Sequence, residues 1–235
     1  MLREVEKKYK IFENFSDIDK IIKISNEKWE RENQEQVDFV WQSYKMDHDL
    51  DAFLSTYDRN KPSDTKLLDL GTCNGSQAIH AAEKGFNVVG SDVSYTALDK
   101  IRYNSKLPVK FVLDDILKTK FKDNEFDIIH DRGCFHSLIT WGLSLYIKNI
   151  LKILKPNGFL LLKVVSSKQK KYMGMDKILG RIVPQPYRFT PEQLVEIFKN
   201  DFYISLICPT FLESDYIEKN SGEFIQSHFL ILQPR

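Results

Sequence analysis

The 235 residues contain only three cysteines, Cys73, Cys134 and Cys208. The number is odd and no pair has a CxxC spacing, so a disulfide framework is excluded and no zinc pattern or other metal site is offered. A reducing cytoplasm is the expected compartment. Long apolar runs are also missing. Stretches such as Phe159–Leu162 are among the longest, far short of the roughly 18 residues that span a bilayer. The opening MLREVEKKYK is charged from residue 3 and has no apolar core of a secretory signal, so no membrane or export role is expected. Neither sign of charge dominates: 34 basic and 33 acidic side chains leave a net +1. Chains that grip nucleic acid through phosphates usually carry a clear basic excess, so no nucleic-acid partner is expected. Internal repeats and low-complexity tracts are absent as well. What is present, 42% hydrophobic and 29% charged residues, is a globular mixture long enough for one large domain or two small ones.

Residues 1–60 read as a polar helical segment in which Phe12, Phe15, Ile18, Ile21, Ile22 and Trp29 recur near helical spacing. Residues 1–66 hold 12 basic and 15 acidic side chains, a net −3. Lys61-Pro62 with Ser63 and Asp64 breaks the helix and opens a second unit, 61–235. There the grain becomes strand, turn, helix. KLLDLG, NVVGSD, VKFVLDD, FDIIHD and FLLLKVV read as five strands. Helices are expected over Ser76–Lys84, from about Ser94 to Asn104, and over Trp141–Leu154, and Thr190-Pro191-Glu192-Gln193 opens a further one with a capping pattern. YISLIC and SHFLILQ close the chain as two strands with no strong helix between them, which predicts an antiparallel pair. The alternation implies an α/β fold: a doubly wound, mostly parallel, Rossmann-like sheet of seven strands with the last antiparallel, plus the N-terminal helical extension. Ligands then belong at the carboxyl ends of the strands, where strand order reverses.

The first turn reads Leu70-Gly71-Thr72-Cys73-Asn74-Gly75. Glycines there let backbone approach a ligand, and the helix that follows offers unpaired N–H groups. A bare strand–helix turn explains two glycines equally well. Two carboxylates tilt the balance: Asp92 ends the second strand, 21 residues after Gly71, where an acid suits ribose hydroxyls, and Asp115 ends the third. A GxGxxG fingerprint fails at two of its three glycines, and no Gly-Lys-Ser/Thr follows Gly75. The remaining reading is an adenosine ligand without a bound phosphate.

The series LDLGTCNG, VVGSDVS, FVLDDI, FDIIHDRG and LKPNGFLLL, across residues 66–165, resembles the motif series of class I S-adenosylmethionine-dependent methyltransferases. The resemblance implies S-adenosyl-L-methionine as cofactor and gives roles to single residues. Asp69, Gly71 and Gly75 would flank its methionine part, and Thr72 and Cys73 between them would also bind the cofactor. Asp92 would hold the ribose, Val93 would pack on adenine, and Asp115 and Ile116 would meet the adenine edge. Asp131 would border the methionine end. Cys73 departs from the glycine usual at its place. HDRGCFHSL, and an N-terminal segment carrying Trp29 and Trp41, are similar to the small-molecule group of thiopurine and tellurite-resistance type. Trp41 is on that ground the aromatic pocket candidate, whereas Trp29 and Trp141 read as ordinary core.

A sulfonium methyl is already activated, so the protein mainly orients the acceptor and excludes water. A base is needed only for an acceptor that holds a proton, and His136, on the loop after the fourth strand, is the candidate. A histidine bonded within its loop explains the same residue equally well. His130 and His80 read as structural, and Cys134 as a small buried thiol. Residues 168–188 carry six basic and one acidic side chain and read as a solvated loop or a lid suited to an anionic acceptor. The expected activity is methyl transfer to a small molecule. The alternatives are a protein or RNA acceptor, against which stands HDRG in place of an Asn/Asp-Pro-Pro-aromatic tetrapeptide, and a non-catalytic adenosine-binding module.

Overall fold

The computed structural model describes residues 18–35, 42–57, 62–102, 109–170, 174–178 and 181–235. The sheet is built from β1 (Lys66–Leu70), β2 (Asn87–Asp92), β3 (Lys110–Leu113), β4 (Phe126–Arg132), β5 (Leu154–Val165), β8 (Phe202–Leu212) and β9 (Ile225–Pro234). Its order is β3-β2-β1-β4-β5-β9-β8. β1 to β5 pair in parallel, and β9 runs antiparallel to both β5 and β8. Six strands therefore point one way and the last in sequence points the other. The chain winds outward from β1 to β3 and returns to β4 on β1's other side, which places the switch point at the carboxyl ends of β1 and β4.

Strand alternation explains the two cores. Leu68, Ile129, Leu160 and Leu162 face one cluster, and Leu67, Ile128 and Leu161 face the other. The near-continuous apolar runs follow, because both faces are covered. On the first face lie α1 (Ile18–Gln34) through Ile21 and Ile22, α5 (Phe135–Ile153) through Tyr146 and Ile150, and α6 (Pro191–Phe198) through Leu194 and Phe198. On the second lie α2 (His48–Thr56), α3 (Ser76–Glu83) and α4 (Tyr95–Arg102), through Leu50, Ala78 and Leu98.

Three local expectations change. α7 (Asp215–Ser221), capped by Ser214, stands between β8 and β9, which still pair antiparallel. Within residues 168–188 lies an antiparallel hairpin, β6 (Gly174–Ile178) with β7 (Arg181–Gln185), rather than an open loop. α5 begins at Phe135, six residues before Trp141, so His136 stands on a helix's first turn and not on a loop. The cause is Asp131, whose carboxylate accepts the N–H groups of Cys134 (2.8 Å) and Phe135 (3.0 Å) and so starts the helix early.

Candidate active site

The turn from β1 to α3 is held open by side chains that occupy one another. Asp69 accepts Thr72 Oγ1–H at 2.6 Å on one carboxylate oxygen and meets His130 Nδ1 at 3.0 Å with the other, all three groups buried. Thr72 N–H reaches across to Ser91 O, tying the turn to β2. Gly71 (φ +69°) and Gly75 (φ +75°) take the left-handed region, and a Cβ on Gly71 would stand 3.2 Å from Cys134 Cβ. Cys73 adopts φ +49° as well, and its N–H donates to Asp92 at 2.9 Å. Cysteine pays for that conformation with strain that glycine would not have, and a charge-assisted hydrogen bond offsets it. Burial pushes the Cys73 thiol up to about 12, with the neighbouring Asp92 adding to it, so it stays protonated.

Asp92 closes the next strand. Its second carboxylate oxygen accepts Ser94 N–H at 2.9 Å. Burial raises its pKa above the ordinary value, and the bonds from Ser94 and Cys73 oppose that rise. Asp115, after β3, accepts Leu117 N–H and, at 2.9 Å, Asn26 Nδ2–H from α1. The three strand tips thus offer backbone and carboxylates to one cavity of about 510 Å3, lined by Asp69, Gly71, Thr72, Cys73, Asp92, Val93, Asp115 and Ile116 among others.

α1 roofs that cavity with Asn26 and Trp29. Glu30 fixes the roof by accepting Ser94 Oγ–H (2.8 Å), Thr96 N–H (3.2 Å) and Thr96 Oγ1–H (2.5 Å) at the start of α4. Burial raises the Glu30 pKa, but these bonds outweigh it and the carboxyl lies below its usual range. Trp29, read from spacing as core, is a cavity wall; Trp41 lies outside the described residues. Asn26 gave no signal in sequence, since its role depends on where α1 docks.

At the tip of β4 the expected pair divides. Asp131 is fully buried and is not among the cavity walls; its oxygens go to Gly133, Cys134 and Phe135 N–H and to Tyr146 Oη–H at 2.7 Å. Burial lifts it to about 6 against those bonds. It shapes the start of α5 and does not face the cavity. Gly75 likewise shapes the turn without lining the cavity. His136 does line it, only 7% exposed, with Nδ1 buried and unpartnered. Burial, helped by the Arg132 charge, holds its imidazole down at about 3, so the ring is neutral at physiological pH. Cys134 is another wall, its thiol raised well above its usual pKa by burial and the charge of Asp131. His80 is at the surface, bonded to Glu83 and Tyr44 O.

One charged cluster beside the cavity was not anticipated. Lys163 of β5 is wholly buried, with Nζ 2.5 Å from Asp47, 2.6 Å from Asp49 and 3.6 Å from Glu213. Arg132, itself a cavity wall, pairs with Asp47 at 3.2 Å and Glu213 at 3.6 Å. Burial would raise the Asp47 pKa, but Lys163, then His130 and Arg132, hold it far below the usual carboxylate range. Asp47 also caps α2, so the cluster seats the segment just before it, where Ser43 O accepts Ser76 Oγ–H at 2.8 Å and Ser43 lines the cavity. The sequence signal was a lysine inside an apolar strand, FLLLKVV, whose cost demands a partner.

Comparison with known proteins agrees with this geometry. Residues 68–162 match the model of a methyltransferase domain. A ubiquinone biosynthesis O-methyltransferase of Rickettsia bellii is 19% identical over 202 residues, covering 80% of each chain. An EEF1A lysine methyltransferase 2 of Danio rerio is 25% identical over 163 residues, covering 65% of this chain and 60% of its own. The crystal structure of a SAM-dependent methyltransferase from Anabaena variabilis shares the fold, with a TM-score of 0.68 at 17% identity over 92% of this chain and 95% of that one. The chain carries a methyltransferase domain and is an enzyme of methyl transfer with S-adenosylmethionine as its cofactor. No described helix is long and apolar enough to cross a membrane.

Proposed function

We propose that the enzyme methylates a small molecule, with the donor held over the tips of β1, β2 and β3 and the acceptor over those of β4 and β5. The observation that carries this reading is the roofed cavity: α1 is tied down across it by Glu30 and Asn26, and about 510 Å3 lies beneath, the size range of small-ligand sites. The residues present fit the cofactor. Gly71 leaves room that a Cβ would take, Asp92 and Asp115 place carboxylates where hydroxyl and amine donors can reach them, and Trp29 and Ile116 give apolar cover. S-adenosylmethionine supplies a methyl on a positively charged sulfur, which keeps the bonding electron pair when the methyl leaves.

The chain's own contribution is orientation and dryness. Fixing two partners in line can be worth roughly 7–11 kcal/mol of barrier. The roof excludes water, and neutral His136 can take a proton from the acceptor, a contribution of about 10²- to 10⁴-fold. The HDRGCFHSL stretch supports the small-molecule group of thiopurine and tellurite-resistance type, since it supplies His136, Arg132 and Cys134 to the cavity wall.

Calorimetry with S-adenosylhomocysteine, followed by labelled methyl transfer to a low-mass metabolite fraction, to lysate protein and to total RNA, tests the reading. Binding with label in the low-mass fraction alone is the expected result. Label confined to protein or RNA would overturn it, and so would binding without transfer to any fraction, which would leave only an adenosine-binding module.

A further inference from the structure

The carboxylates that line the cavity all lie at its donor end. Asp69 and Asp92 stand at the ends of β1 and β2, Asp114 and Asp115 follow β3, and Glu32 lies two residues beyond Glu30, which is bonded to the start of α4. The other half is walled by Leu138 of α5, Val165 at the end of β5, and Leu212 and Ile225 where β8 ends and β9 begins, with His136 and Gln169 as polar points. Among the described residues lining that half there is no carboxylate. Beside it stands the Arg132 guanidinium, paired with Asp47 and Glu213. An ammonium taken from water into such a place would find no carboxylate among those wall residues to pair with, a cost of several kcal/mol. Of the two His136 ring nitrogens Nδ1 is sealed from the cavity, which leaves Nε2 as the one that a molecule bound against this wall can reach.

Resting on the small-molecule reading above, we infer that the acceptor is a hydroxyl compound with an apolar body and no cationic group, its O–H donating to the His136 imidazole. The oxygen bonds the methyl carbon, the carbon–sulfur bond breaks with its electrons staying on sulfur, and the hydroxyl proton passes to His136 and then to water. An oxygen that has gained a methyl while holding its proton is strongly acidic, so even a weakly basic imidazole suffices.

The full chain, supplied with deuteromethyl-labelled donor and a low-mass metabolite extract, gives products whose chemistry decides. The expected product is a methyl ether without basic nitrogen, and His136→Gln is expected to lower its rate at least 100-fold while leaving S-adenosylhomocysteine affinity within twofold. A product methylated on an amine nitrogen, or an unchanged rate in the variant, would overturn the hydroxyl inference and leave the small-molecule reading intact. Label found only in protein would overturn that reading instead.

Discussion

Replacing Asp92 by asparagine changes one oxygen into an NH2 group and removes a charge, with little change of shape. In the native site the two carboxylate oxygens each accept a backbone N–H at 2.9 Å, from Cys73 and from Ser94. Asparagine can satisfy one of these and must point a donor at the other. Any ligand hydroxyl that donates to the carboxylate also loses a bond to a charged acceptor, worth about 1.5–3 kcal/mol. That is about a 10- to 150-fold weaker Kd for S-adenosylhomocysteine. The pH dependence gives a second handle. Burial raises the Asp92 pKa, and donors from a ligand favour its ionised form, so native affinity should fall as pH drops through that raised pKa. The asparagine variant has no such proton to gain and should show a flatter profile over the same range. Calorimetry between pH 5 and pH 8, with melting curves to follow the turn, reads both. A Kd within twofold of native at pH 8, with the variant folded, would show that this carboxylate does not hold the ligand.

Three further outcomes are expected. His136 has a pKa of about 3 in the native state against an ordinary 6.5, so below pH 6.5 the unfolded chain binds a proton that the native one refuses. Native stability should therefore fall with pH across that window by about 1.4 kcal/mol per unit, on the order of 4–5 kcal/mol in all; urea denaturation of His136→Gln should show that slope reduced, and an unchanged slope would exclude the buried neutral ring. Gly71→Ala forces a left-handed alanine at about 1–2 kcal/mol and a Cβ 3.2 Å from Cys134, so a lower melting temperature and weaker S-adenosylhomocysteine binding are expected. Glu30→Ala removes the acceptor that ties α1 to Ser94 and Thr96, and hydrogen exchange over residues 18–34 should quicken with little change in the strands; equal protection would mean that α1 is held by its apolar face alone.

The sheet was legible because its rules are local. Leu67-Leu68 and Ile128-Ile129 are apolar on both faces, as a covered parallel strand must be, and Gly71 and Gly85 punctuate the series. The carboxylates at the ends of β2 and β3 follow from that strand reading. What escaped was tertiary. Nothing local in DYIEKNS announces a seven-residue helix, and the Gly and Pro of the 168–188 stretch argue for a loop where a hairpin forms. The partners of Asp131, three N–H groups and the Tyr146 hydroxyl, become visible only in the fold. Trp29 and Asn26 acquire their roles only from the docking of α1, which no periodicity encodes.

Lys163 also polices the assembly of the sheet. Neighbouring side chains on a strand face opposite ways, so sliding β5 by a single residue against β4 would carry the ammonium to the wrong side and take its charge from Asp47 and Asp49. A core of leucines and valines alone would tolerate that slip far better, since β5 is apolar on both faces. The buried ammonium acts as an indexing pin: it favours one alignment of the central strands, and that same alignment brings the segment ahead of α2 up to the mouth of the cavity.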